Sequence, residues 1–200
     1  LMTVAGGLSL TGYAEAPLGP ENPPFEMAAI RSDPLEAETV SREITEDGMV
    51  LEHVTFNGDR DREGNFIRLS GIVAYPEGGK NLPGLLWCQG GMADARPYFP
   101  TLFARKGYLC LHVTLAKETW DAYAKFNAAD PRNANLVRLG VEQMRGVTYI
   151  EKRPEVDPAR LGVAGASYGG VFATFVAGAD PRIRAGMSFF GAGNHHLGTN

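Results

Sequence analysis

Glycines at 165 and 169 bracket Ser167 in the run "GVAGASYGG", residues 162–170. A serine hydroxyl is a weak nucleophile. To attack a carbonyl it must project from the backbone into a cleft, hand its proton to a base and find N–H donors placed to hold the oxyanion. A sharp turn from a strand into a helix supplies the projection and one donor together. Its strained φ/ψ and close helix crossing need small residues two before and two after the serine, and Gly165 and Gly169 occupy those positions. The same turn sets the Tyr168 N–H in the first turn of a helix, where amides lack carbonyl partners and the dipole favours negative charge. A second donor is expected from the loop after "LLWCQ": Gly91, with Met92 as the alternative. Neither the dinucleotide pattern G-x-G-x-x-G nor the Gly-Lys-Ser/Thr of a P-loop is present. The remaining alternative is a tight turn whose serine only caps its helix.

The elements that must position this serine follow from the flanking pattern. Leu161–Gly165 reads as a buried strand, "GGVFATFVAGAD" as a helix starting within the glycines, and "IRAGMSFFGAG" (183–193) as a further strand. Upstream, "GLLWCQGG" and "YLCLHVTL" are continuous apolar runs of the kind buried on both faces of a parallel sheet. Between them "PYFPTLFARKG" has helical spacing and stops at Gly107, which completes a β-α-β unit. Residues 133–153 predict a long helix, with Leu136, Leu139 or Gly140, Gln143 or Met144, and Val147 on one stripe and Pro154 as its stop. "MVLEHVTFN" (49–57) and "FIRLSGIVAY" (66–75) alternate as an antiparallel hairpin joined by "GDRDREG". Before them, Asp33 as N-cap, Pro34 at the first position and Glu36 closing a capping box predict a short helix to about Arg42. The fold class expected is α/β: a mostly parallel sheet with an antiparallel N-terminal hairpin and helices on both faces.

Bulk properties narrow the partners. With 200 residues and 44% hydrophobic content, the chain is long enough for one sizeable core. A net charge of -4 without long runs of one sign argues against nucleic acid or an anionic membrane as the main partner. No apolar stretch reaches about 18 residues, so no transmembrane helix is expected. Cys88 and Cys110 sit inside apolar runs and read as small buried hydrophobes rather than a disulfide. Asp59, Asp61, Glu63 and Gly64 follow the first half of a calcium loop, but Ser70 stands where the closing glutamate belongs, so a solvated turn is the reading. Residues 1–25 read as a leader ending in Ala14-Glu15-Ala16, followed by the proline-rich linker "PLGPENPPF". That leader resembles the later part of a secretory signal without its basic front, while Pro17 is a poor residue to follow a cleavage site. Secreted or periplasmic placement therefore stands beside a cytoplasmic one, and residues 26–200 read as part of a single domain.

"RPEVDPARLGVAGASYGG" resembles the segment leading into the nucleophile of α/β-hydrolases, particularly the acetyl xylan esterase, dienelactone hydrolase and prolyl-oligopeptidase-like branch. In that branch a long helix ends at a proline, an Asp-Pro turn follows, and a strand carries the serine. "LLWCQGGMADARPYFPTLFARKGYLCLHV" takes the place of its strand, oxyanion loop, helix and strand, and "GADPRIRAGMSFFG" is similar to the strand after the serine. The likeness runs from about residue 49 to residue 193. It implies an α/β-hydrolase fold and a serine esterase without cofactor or metal. In that mechanism Ser167 attacks an ester, the Gly91 and Tyr168 amides hold the oxyanion, and water releases the acyl-enzyme. Short acyl esters are implied as substrates, acetyl groups on carbohydrate among them. Gln89 stands where the loop motif usually has histidine, a change that leaves the Gly91 amide in place.

The family order is serine, then acid, then histidine, on loops after later strands. Residues 168–200 are too few for two more strands with their helices, so the expectation is the N-terminal portion of a longer hydrolase whose acid and histidine lie beyond Asn200. Within the chain, His53 and His112 lie in strand-like runs and are expected to be structural. His195 and His196 follow the strand after the serine, at the carboxyl edge of the sheet where ligands bind, and are candidates to line the cleft or act as base. Asp157 and Asp180 are expected as turn or cap residues. Trp120, Tyr123 and Phe126 fall at helical spacing and read as core rather than a sugar-stacking wall. A peptidase or lactone hydrolase using the same serine, and an inactive hydrolase-like binding module, are the rival functions.

Overall fold

Two largely buried strands close residues 49–76 into an antiparallel hairpin, and the continuous apolar runs after it supply the parallel strands. The structure, a computed structural model, describes residues 25–91, 94–122 and 130–191. In chain order the elements are α1 (Met27–Ser32), β1 (Glu38–Ile44), β2 (Met49–Arg60), β3 (Phe66–Pro76), β4 (Leu82–Cys88), α2 (Tyr98–Ala104) and β5 (Leu109–Val113). They continue with α3 (Lys117–Ala122), a 3-10 turn at Pro131–Asn133, α4 (Asn135–Glu151), β6 (Val156–Ala166), α5 (Tyr168–Ala179) and β7 (Ile183–Phe189). Among the described residues seven strands form one sheet in the order β1-β2-β3-β5-β4-β6-β7. The pairs from β1 to β5 are antiparallel, and those joining β5, β4, β6 and β7 are parallel.

Helices cover both faces. On one, Phe99 and Phe103 of α2 pack against Leu85, Trp87, Cys110 and Ala164, with the Trp87 and Phe99 rings stacked 3.9 Å apart. On the other, Leu139, Met144 and Phe172 of α4 and α5 meet Leu86, Leu109, Leu111 and Val163. Cys88 and Cys110 are buried and free. Among the described residues no helix is long and apolar enough to cross a membrane.

The helix expected from Asp33 to about Arg42 is not formed. A helix precedes it at Met27–Ser32, and residues 38–44 are strand β1, paired antiparallel with β2. Two forces override the capping signal. Glu36 adopts φ 42, which no helix accommodates, and Thr39, Val40 and Ile44 are β-branched side chains offered the open edge of β2. The antiparallel half of the sheet is correspondingly larger than the hairpin alone. The connector between β2 and β3 is a turn, in which Asp61 Oδ1 accepts from the Glu63 and Asn65 amides at 3.0 and 2.8 Å. The leader and linker expected at 1–25 lie, but for Phe25, outside the described residues.

Arg145 ties the segment before β1 to α4. The residue is 1% exposed, and its guanidinium donates to the carbonyls of Ile30 (2.7 Å), Asp33 (3.1 Å), Pro34 (3.1 Å) and Asn57 (3.1 Å). Four acceptors around one fork satisfy donors that burial would otherwise leave unmet.

Candidate active site

β6 ends at Ala166 and α5 begins at Tyr168, so Ser167 alone makes the turn, at φ 56 and ψ -125. For a residue with a Cβ this is sparsely populated backbone, a strain of about 1–3 kcal/mol held by its surroundings. Those surroundings are specific. The Ser167 N–H donates to the Phe189 carbonyl at 2.8 Å, its carbonyl accepts from Gly170 N at 2.9 Å, and Ser188 Oγ donates to the Gly170 carbonyl at 2.9 Å. A Cβ on Gly165 would strike the Gly169 carbonyl and one on Gly169 the Cys88 carbonyl, so only glycine lets α5 cross this close to β4 and β6. The serine side chain is left exposed above the carboxyl edge of the sheet.

The loop after β4 comes to the same place. A Cβ on Gly90 would stand 2.9 Å from Ser167 Cβ and 3.5 Å from its Oγ, and Gly91 follows at φ 67. Gly90, rather than Gly91, is therefore the loop residue in immediate contact with the serine. The alternative donor Met92 lies outside the described residues. Gln89 turns its side chain back, with Oε1 accepting from Trp87 Nε1 at 3.2 Å. On the opposite side Tyr168 packs edge-on against Trp120 (5.6 Å) and Phe172 (5.0 Å), and burial pushes its phenol above the ordinary range.

Trp120 belongs to α3, which a buried carboxyl group holds. Glu142, fully buried in α4, accepts from Ala116 N at 3.2 Å and from Thr119 Oγ1, and burial pushes its carboxyl up to about 8. Asn135 Nδ2 adds a bond to the Trp120 carbonyl at 3.1 Å. Beside Trp120, a cleft of about 510 Å³ is lined by Arg68, Ser70, Asp94, Thr114 and Lys117.

The remaining sequence candidates separate by position. Among the described residues no hydrogen bond reaches Ser167 Oγ. Asp180 is buried after α5 and gives both oxygens to Arg182, at 2.8 and 2.6 Å. Asp157 sits at the far end of β6, where bonds from Ala159 N and Arg160 hold its carboxyl below the usual range. His53 is exposed on β2 and His112 is buried on β5. His195, His196, Tyr123 and Phe126 lie outside the described residues. Sequence reasoning missed the hold of Glu142 on α3 and that of β5 on the loop after β4. For the second, the signal was a His and a Thr two apart at a strand end. Among the described residues no three His, Cys, Asp or Glu side chains group as a metal site.

A family model described as the dienelactone hydrolase family matches residues 98–199. No curated protein matches the chain. Among solved structures, the acetyl xylan esterase of Paenibacillus sp. R4 superposes with a TM-score of 0.66 at 20% identity over 80% of this chain and 55% of that one. Acetyl xylan esterase 1 of Thermoanaerobacterium sp. JW/SL YS485 follows with 0.64 at 16% identity over 79% and 54%. A glucuronoyl esterase of Solibacter usitatus gives 0.54 at 16% identity over 76% and 51%. At these identities the likeness is one of fold, and the chain spans about half the length of the solved structures it matches.

Proposed function

The chain belongs to the dienelactone hydrolase family and has the α/β-hydrolase fold, and on that premise we propose that Ser167 is the nucleophile of a carboxylic-ester hydrolase acting on short acyl esters, acetyl esters of carbohydrate among them. The observation that carries this reading is the exposed Ser167 side chain, held at φ 56 and ψ -125 between a strand and the head of a 12-residue helix. The esterase names of the fold neighbours support the substrate class.

In the mechanism a base takes the Ser167 proton while Oγ attacks the ester carbonyl carbon, and the carbonyl oxygen becomes an oxyanion. The Tyr168 amide, at the head of α5, and the Gly91 amide, in the loop beside the serine, are its donors. Losing one such donor raises the barrier by about 2.7–4 kcal/mol. Collapse expels the alcohol, which takes its proton from the conjugate acid of the base. Water then attacks the acyl-enzyme, returns a proton to the base and frees the carboxylic acid and Ser167. The base is sought outside the described residues, where His195 and His196 are the candidates of this sequence.

A fluorophosphonate probe on the protein expressed from its gene tests this reading. Labelling at Ser167, located by mass spectrometry and abolished in Ser167→Ala, is expected together with hydrolysis of acetyl esters in preference to peptides. An unlabelled protein would make the turn purely structural, and peptide cleavage faster than ester cleavage would move the activity to a peptidase.

A further inference from the structure

β5 ends in Leu111-His112-Val113 with Thr114 directly after it, and alternate residues of an extended segment share a face. Thr114 stays in the ladder through its N–H to the Ser70 carbonyl at 2.9 Å. On the shared face two side chains receive backbone amides of the loop between β4 and α2. Ala95 N donates to Thr114 Oγ1 at 2.9 Å, and Arg96 N donates to His112 Nδ1 at 3.1 Å. The Arg96 carbonyl lies 3.3 Å from the same nitrogen, so Nδ1 ties His112 to the Arg96 backbone in either tautomer, as acceptor from its N–H or as donor to its carbonyl. The β4 end of this loop is the one that stands beside Ser167 through Gly90.

Two features separate this from routine packing. His112 is 1% exposed, and its Nε2 has no hydrogen-bond partner among the described residues. A buried ring nitrogen without a partner is unfavourable, whereas an aliphatic side chain would fill the place without one. Cys110, two residues earlier on the same face, is such a filler. Burial also holds the imidazole below its ordinary range, which favours a neutral ring at this contact.

We propose that His112 and Thr114 are positioning residues, which fix the α2 end of the Gly90–Gly91 loop so that its amides stay aimed at the oxygen developing beside Ser167. Neither touches the reacting atoms. The inference rests on the reading of Ser167 as nucleophile.

The test uses the protein expressed from its gene, with His112→Leu and Thr114→Val as disruptive variants. His112→Asn, whose Oδ1 takes the place of Nδ1, and Thr114→Ser are the conservative ones. Three quantities are read: the fluorophosphonate labelling rate at Ser167, hydrogen exchange of the peptide holding Ala95 and Arg96, and the melting temperature. Loss of either anchor is expected to slow labelling by about tenfold or more and to speed exchange, because a misplacement of about 1 Å is worth up to a hundredfold. Asn and Ser are expected to restore both. Unchanged labelling with faster exchange overturns the proposal, as does a fall in melting temperature alone that the conservative variants do not mend. Should His112→Leu not fold, Thr114→Val, a near-isosteric change at a half-buried site, carries the comparison. A labelled parent with indifferent variants removes this inference alone, and an unlabelled parent removes the reading of Ser167 with it.

Discussion

Trp120 meets Tyr168 edge-on, ring centroids 5.6 Å apart and planes at 78°, so the helix after β5 leans on the residue that follows Ser167. The contact joins helix α3 to the head of α5. Trp120→Ala is expected to destabilise by about 2 kcal/mol, less than a fully buried tryptophan, since this one is half-buried. It should also slow Ser167 labelling several-fold, with Trp120→Phe intermediate. Urea unfolding and labelling rates check the two effects separately.

Glu142 makes stability depend on pH in an unusual direction. A carboxyl raised from 4.5 to about 8 binds its proton more tightly in the folded state, so its contribution is fully present below about pH 4.5 and is lost as pH rises toward 8. The loss is on the order of a few kcal/mol. Glu142→Gln keeps the shape and an acceptor without the charge. The stability difference between parent and variant, read from urea midpoints between pH 5 and 8.5, is expected to swing toward the variant as pH rises.

Two glycines of α5 give opposite outcomes on substitution. Gly178 has open space around a new Cβ, and Gly178→Ala is expected to stabilise by about 0.5–1 kcal/mol. Gly169→Ala drives a methyl group into the Cys88 carbonyl and is expected to cost about 3 kcal/mol or to prevent folding. Thermal melts of both distinguish a general glycine effect from crowding at the turn.

Asp180 is bound to Arg182, itself 6% exposed, and its loss leaves that guanidinium with Glu151 at 2.7 Å as its remaining carboxylate. Asp180→Ala is expected to cost about 3–5 kcal/mol, as for breaking a buried pair. At a temperature where the variant is folded, labelling of Ser167 is expected to match the parent. A labelling loss beyond the unfolded fraction would give Asp180 a part in the reaction beyond its structural one.

The strands from β2 to β6 and helix α4 were legible because apolar runs and a helical stripe are local information. β1 was not, since Asp33, Pro34 and Glu36 spell a helix start that the free edge of β2 outbids only once the sheet exists. The glycines around Ser167 were readable because their reason is steric and lies within five residues. Which glycine of the pair 90 and 91 stands against the serine depends on the path of the loop between sheet and helix, which no spacing encodes. His112 was expected to be structural. What it grips lies 16 positions away in a segment without periodicity, and only the folded arrangement shows the pairing.

The carbonyls gathered by Arg145 also have a practical meaning for anyone shortening this protein. Ile30, Asp33 and Pro34 are 115, 112 and 111 positions from the side chain that uses them. A version trimmed to start at the first strand would keep every sheet contact and still leave a cation in the core with one of its four acceptors. The functional domain boundary is therefore set from within α4, and it falls before Ile30.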